Sequence, residues 1–179
     1  MTFDSRRRAV IGGCLMCTLF PFAHRAVAAS QPAIDSLSPP VTPACVSSPF
    51  GPRVLPGTRA AAFHTGIDLP APEGGRVHAA AGGKVLQIRR LGSAGLVVDL
   101  LHDMPDGGRF VTRYAHLGTV APALADGRRT VASGEVLGRI GRSGITYGTH
   151  LHFEVRVAGQ PIDPAPFVAV PRCSGHTNP

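Results

Sequence analysis

Residue types able to do chemistry cluster in three short stretches of this 179-residue sequence. The first is Thr149-His150-Leu151-His152-Phe153-Glu154-Val155. If it is a strand, its side chains alternate, so His150, His152 and Glu154 share one face while Leu151 and Phe153 take the other. Two neutral imidazoles side by side suit a divalent metal, zinc first, or a metal ligand beside an acid–base group. An ordinary strand surface shows the same pair, so it needs partners to mean anything. The second stretch, Phe63-His64-Thr65-Gly66-Ile67-Asp68-Leu69, sets a histidine and an aspartate four apart. Gly66 allows a bend that turns both toward one point, and one imidazole nitrogen with one carboxylate oxygen is half of a zinc site. The structural alternative makes Asp68 a turn cap and His64 a half-buried polar group. The third, Tyr114-Ala115-His116-Leu117-Gly118, holds a histidine that in isolation reads as a surface or satisfied core residue.

These residues must be held by short strands. Arg76 to Ala81, Lys84 to Ile88, Gly95 to Leu101, Arg109 to Tyr114, Glu135 to Ile140 and Thr149 to Val157 are rich in Val, Ile and Leu and bounded by Gly, Asp or Pro. No window of helical length keeps a 3.6-residue period, and a brief helical turn is expected only near Pro122 to Asp126. The pattern predicts an all-β domain: a single antiparallel sheet or sandwich with a loop-lined groove. The loop Gly141 to Gly148 can line a groove and offer backbone N–H groups to a substrate, and it fits a flexible hairpin connection equally well. His78, His102 and His176 have no partner at metal spacing and receive no role.

The chain opens with Arg6, Arg7 and Arg8, continues with an apolar run from Ala9 to Ala23 and reaches Ala26-Val27-Ala28. This is the layout of a secretory signal peptide over residues 1–28, too short for a membrane anchor, which needs about 20 apolar residues. Sec and twin-arginine export both fit. Removing the leader takes away Arg6, Arg7, Arg8 and Arg25 but only Asp4, so the net charge falls from +7 to +4. That modest balance suits an anionic polymer, whereas scattered Lys and Arg without interleaved aromatics give nucleic-acid binding no support. Two of the four cysteines leave with the leader. Cys45 and Cys173 remain, one near each end, and in an oxidising compartment are expected to form one disulfide. Residues 29–44 contain Pro32, Pro39, Pro40 and Pro43 and predict an extended, poorly ordered arm. The domain is expected over residues 45–173, with a short tail at 174–179.

Taken together, His-x-x-x-Asp, Tyr-x-His-Leu and His-x-His-Phe-Glu fall in an order that resembles the lysostaphin-type (LytM-domain) zinc metallopeptidases. That family cuts peptide bonds in bacterial peptidoglycan. The resemblance runs from about Ser48 to Phe167 and includes Pro49-Phe50-Gly51-Pro52-Arg53, Val77-His78-Ala79-Ala80-Ala81-Gly82-Gly83-Lys84-Val85, Gly134-Glu135-Val136-Leu137-Gly138 and Gly159-Gln160-Pro161-Ile162-Asp163-Pro164. One departure is Thr149, where a proline commonly precedes the final His-x-His.

The resemblance implies that His64, Asp68 and His152 bind one zinc per chain, leaving a fourth position for water. It makes His116 and His150 the groups that orient or deprotonate that water and stabilise the oxyanion; which of them is the base stays open. Because all five positions are kept, an active peptidoglycan endopeptidase is expected, acting as a monomer in the periplasm or cell envelope. It is not expected to stay in the membrane once its leader is removed. Secretion also fits. The alternative is a silent wall-binding or amidase-activating module of the same family. With only about 16 residues between Ala29 and Cys45, the groove is expected to be open, or at most covered by the proline-rich arm.

Overall fold

Branched aliphatic residues at alternate positions make strands with one face to bury, and two such strands organise this fold. In the computed structural model, which describes residues 34–53 and 62–174, eleven strands are formed. They are β1 (Gly51–Pro52), β2 (Phe63–His64), β3 (Ile67–Pro70), β4 (Arg76–His78), β5 (Gly83–Leu91), β6 (Gly95–Asp103), β7 (Arg109–Val120), β8 (Thr130–Val131), β9 (Val136–Ile140), β10 (His150–Val157) and β11 (Gln160–Ile162). Among the described residues the one α-helix is a single turn, α1 (Pro122–Ala125), at the expected place, and Gly92–Ala94 form a 3-10 turn. All named pairings are antiparallel. The main sheet runs β11-β10-β7-β6-β5-β8, with β3 added on β10 and β9 joining β7 to β4. The all-β expectation therefore holds.

β10 lies between neighbours on both sides. Along one edge it pairs with β7, from His152 opposite Ala115 to Val157 opposite Phe110. Along the other, its first half pairs with β3 and its second half with β11. Leu151, Phe153 and Val155 point inward and are fully buried with Tyr114, Ile67, Leu69, Leu100 and Leu117. Aliphatic side chains and the aromatic rings of Phe110, Tyr114 and Phe153 fill the core, so the alternate residues of β10 are held to the opposite face by a strong register constraint.

β7 is longer than the expected strand, which stopped at Tyr114. Its first part pairs with β10, whereas Leu117 to Val120 pair with β9. The change of partner falls at His116, whose backbone has φ 60°, and the ladder with β6 slips there between Leu96 and Val98. A bulge turns the strand without ending it, and bulges of this kind re-aim a side chain.

The proline-rich arm differs from expectation in its described part. Residues 34–44 are not loose: Leu37 and Val41 are buried, the Leu37 N–H donates to the Phe167 carbonyl at 2.8 Å, and Pro40 accepts from the His78 N–H at 2.8 Å. Proline removes backbone donors but does not prevent the residues between from packing. This part of the arm lies against residues 77–80 and 167–168, so it does not cover the groove. Next to it, Cys45 and Cys173 form the expected disulfide, with Cα atoms 4.9 Å apart and a sequence separation of 128. Closing so long a loop stabilises the fold by up to about 5 kcal/mol. The expected leader, residues 1–28, lies outside the described residues, as does all but Ser174 of the expected tail.

Candidate metal centre

The register of β10 against β3 sets His152 directly opposite Asp68. His64 reaches the same point from β2 after a tight bend. Gly66 is needed there for space, since a Cβ at that position would stand 2.2 Å from the Phe153 carbonyl oxygen. Three atoms converge. His64 Nε2, Asp68 Oδ1 and His152 Nδ1 form a triangle whose every side is 3.0 Å. Tetrahedral zinc with bonds of about 2.0–2.1 Å would hold two ligand atoms about 3.3 Å apart, so the triangle fits such an ion with a small outward relaxation.

The rest of each side chain faces the protein. His64 Nδ1–H donates to the Pro49 carbonyl at 2.6 Å, which leaves Nε2 as a lone pair. His152 Nε2–H donates to Glu154 Oε1 at 3.1 Å, which leaves Nδ1. Asp68 Oδ2 accepts from Arg53 at 2.9 Å, so Oδ1 alone is turned inward. With both tautomers fixed this way, three acceptors face one another in a mostly buried place and call for a cation. Without an ion a proton serves. Burial, the largest influence, disfavours charge on His152, but its hydrogen bonds to Asp68 and Glu154 together outweigh that and raise its pKa to about 9. Burial likewise opposes ionised Asp68, yet the bonds from His152 and His64 hold it well below the usual carboxylate range.

Glu154 continues the alternation and completes the outer layer. Burial works against its charge, but bonds from His152 and Thr65 lower its pKa to about 2. Thr65 Oγ1 donates to Oε1 at 2.7 Å and Arg156 to Oε2 at 2.6 Å. Arg113, bound through two nitrogens to Asp99, holds a third 3.7 Å from the same Oε2.

His150 and His116 stand beside the triangle. His150 Nδ1–H donates to the Gly148 carbonyl at 3.1 Å, and Nε2 lies 3.6 Å from Asp68 Oδ1. His116 Nδ1–H donates to the Ser143 carbonyl at 2.9 Å, and its ring centroid is 4.9 Å from that of His150. Burial lowers the pKa of both, most of all, so each is held neutral with one unprotonated nitrogen.

All five residues singled out from the sequence thus come together in the lining of a groove of about 910 Å³. Phe63, Ile145 and Tyr147, three of the four exposed large hydrophobic residues among those described, line it. The loop Gly141 to Gly148 does form a wall, but the Ile145 N–H is taken by the Ser93 carbonyl at 2.8 Å and is not offered to a ligand. His78 and His102 lie elsewhere, and His176 is outside the described residues. Sequence reasoning assigned no part to Arg53, to the Pro49 carbonyl or to Ser143. Arg53 and Pro49 lie in a stretch that matched by resemblance, yet nothing local signals that they face Asp68 and His64. Glu154 was legible only as a residue on the histidines' face.

A His-Asp-His triangle in a β-sheet groove is a donor set able to hold a metal ion. The chain belongs to peptidase family M23, whose sequence model matches residues 62–164. It is 40% identical over 126 residues to the DD-carboxypeptidase/endopeptidase Mpg of Neisseria meningitidis, a match covering 70% of this chain and 27% of that protein. To the peptidoglycan DD-endopeptidase ShyA of Vibrio cholerae it is 35% identical over 119 residues, 66% of this chain and 26% of that protein. The chain therefore spans about a quarter of the length of these relatives. Its fold is similar to the catalytic domain of the antimicrobial peptidase lysostaphin from Staphylococcus simulans. That match has a TM-score of 0.55 and 26% identity, and covers 66% of this chain and 87% of that one.

Proposed function

We propose that this chain is an exported zinc-dependent endopeptidase that hydrolyses peptide bonds in the stem peptides or cross-links of peptidoglycan. The observation that carries the proposal is the triangle of His64 Nε2, Asp68 Oδ1 and His152 Nδ1 with two further neutral imidazoles at its side. These three atoms are the proposed ligands. Zinc held there would polarise a scissile carbonyl and lower the pKa of a water toward about 7.

The chain's own residues account for the rest. Arg53 and Glu154 keep Asp68 and His152 in one orientation, so the donor set is formed before substrate arrives. His150 and His116 have their Nδ1–H groups committed to carbonyls, so Nε2 of each can accept a proton from the attacking water. Once protonated, the same nitrogen donates to the oxyanion or to the leaving amine, whose departure needs that proton. Burial favours the neutral form of both, which is the form able to accept. Phe63, Ile145 and Tyr147 line the groove together with its polar residues, a mixed surface that suits a peptide chain. The relatives named for peptidoglycan and DD-bonds support a D-Ala to diaminopimelate link as the bond cut.

The purified protein is expected to carry about one zinc per chain and to release new amino groups from purified sacculi. Binding to sacculi without release, in an assay where an active relative works, would make it a silent wall-binding or activating module instead.

A further inference from the structure

We infer that Ser143 is a positioning residue for His116, coupling the rate of the reaction to the fit between two loops of one groove wall. The inference rests on His116 being a catalytic group, as proposed above. Ser143 makes three hydrogen bonds around that histidine through two groups, its carbonyl and its hydroxyl. Its carbonyl accepts the His116 Nδ1–H at 2.9 Å, its hydroxyl donates to the Leu117 carbonyl at 2.7 Å, and the same oxygen accepts the Leu96 N–H at 2.8 Å. The ring of His116 and the carbonyl of the next residue, Leu117, are therefore both anchored on one residue. The hydroxyl is committed in both directions, so it is not available as a nucleophile.

His116 needs such an anchor. Its φ of 60° lies in the left-handed region, at the bulge where β7 exchanges β10 for β9. A non-glycine residue stays there only when its surroundings fix it. The Gly141 N–H, donating to the His116 carbonyl at 3.1 Å, adds a second hold from the same loop.

Ser143 also ties that loop to its neighbour. Residues 92–95 and 143–145 interlock through the Ile145 N–H to the Ser93 carbonyl at 2.8 Å. Their approach leaves no room for side chains: a Cβ on Gly95 would stand 2.3 Å from Ser143 C, and one on Gly144 would stand 2.3 Å from Ser93 O. Ser93, Ala94, Ile145 and Tyr147 from these loops border the groove, so a displacement of this wall is passed to His116 through Ser143.

Ser143→Ala keeps the carbonyl that holds the ring but leaves the Leu96 N–H and the Leu117 carbonyl without their partner. Expected for the full chain on sacculi or a cross-linked muropeptide is a kcat lower by roughly 10- to 100-fold, the cost of a small misplacement of a reacting group. KM should change less than about twofold, and zinc content should be unchanged. The decisive arm is the double variant. In a His116→Ala background, Ser143→Ala should change kcat by less than about twofold, since the group it positions is already gone. Unchanged kcat in Ser143→Ala, losses that multiply in the double variant, or a joint loss of zinc and rise of KM would each overturn the inference while leaving the proposed function standing. Full kcat in His116→Ala would instead remove the reading of His116, and this inference with it.

Discussion

Two groups of buried histidine in this molecule use the same chemistry to opposite ends. His102, on β6, has both ring nitrogens satisfied by the protein: Nδ1–H donates to the Gly82 carbonyl at 2.8 Å, and Nε2 meets Thr112 Oγ1 at 2.7 Å. The chain continues from Thr112 to the hydroxyl of Tyr114 at 3.1 Å, which accepts the Ala80 N–H at 2.8 Å. Burial pushes the Tyr114 phenol up to about 12, so it stays neutral. At the groove, His64, His116, His150 and His152 each spend one nitrogen on an outward acceptor and keep the other facing inward. Burial alone does not distinguish a structural from a functional histidine. What distinguishes them is what the second nitrogen meets: a core hydroxyl for His102, but other imidazoles and the carboxylate of Asp68 at the groove.

The comparison can be broken at either end. The largest effect is expected from His152→Ala, which removes one corner of the triangle and should abolish stoichiometric zinc binding and turnover together, as read by metal analysis and amino-group release. His116→Ala removes an imidazole beside the triangle. It should keep zinc and lower kcat by roughly 100- to 10,000-fold, the range for a lost acid–base group. Loss of zinc in this variant too would merge the two shells that the geometry separates. Glu154→Gln should weaken zinc binding by roughly 10- to 100-fold in a chelator competition, because the carboxylate that orients His152 is gone; an unchanged affinity would show that the outer layer does not tune the site.

The smallest functional effect is expected at the structural histidine. His102→Leu should leave zinc content and kcat at the wild-type level and cost about 1–3 kcal/mol of stability through the polar groups it orphans. Its pH dependence has a definite sign. Burial, acting above the opposing bond to Gly82, lowers the pKa of His102 from 6.5, so the folded state binds fewer protons there than the unfolded state. The stability that neutral His102 contributes is complete above about pH 6.5 and is lost as the pH falls below it. The Tm difference between wild type and His102→Leu should therefore narrow from pH 8 to pH 5; a difference independent of pH would contradict a neutral His102 in the core.

Much of the groove floor was legible from residue order. In β10 the alternation of His150, His152 and Glu154 with Leu151, Phe153 and Val155 is a period-two signal strong enough to place both histidines on one face. The strands of the central sheet announced themselves through Val, Ile and Leu between glycines. β1, β2 and β8 did not, since two residues carry no period, and β3 was hidden by the turn residues that precede it. In the arm the prolines mask Leu37 and Val41, and Leu37 is held by residues 167 and 168, far away in the sequence. The role of His116 came by resemblance, but its left-handed backbone could not be read from a sequence without glycine at that place. Arg53, Ser143 and the Pro49 carbonyl act through tertiary contacts, and no local pattern encodes those.

The central claim, that an ion held by His64, Asp68 and His152 makes this groove a peptidase, is tested most directly by adding zinc stepwise to the metal-free protein while following amino-group release from sacculi. The account predicts that turnover rises in proportion to added zinc and stops rising at about one equivalent per chain. Turnover that is already full without metal, or none at any zinc occupancy, would contradict it.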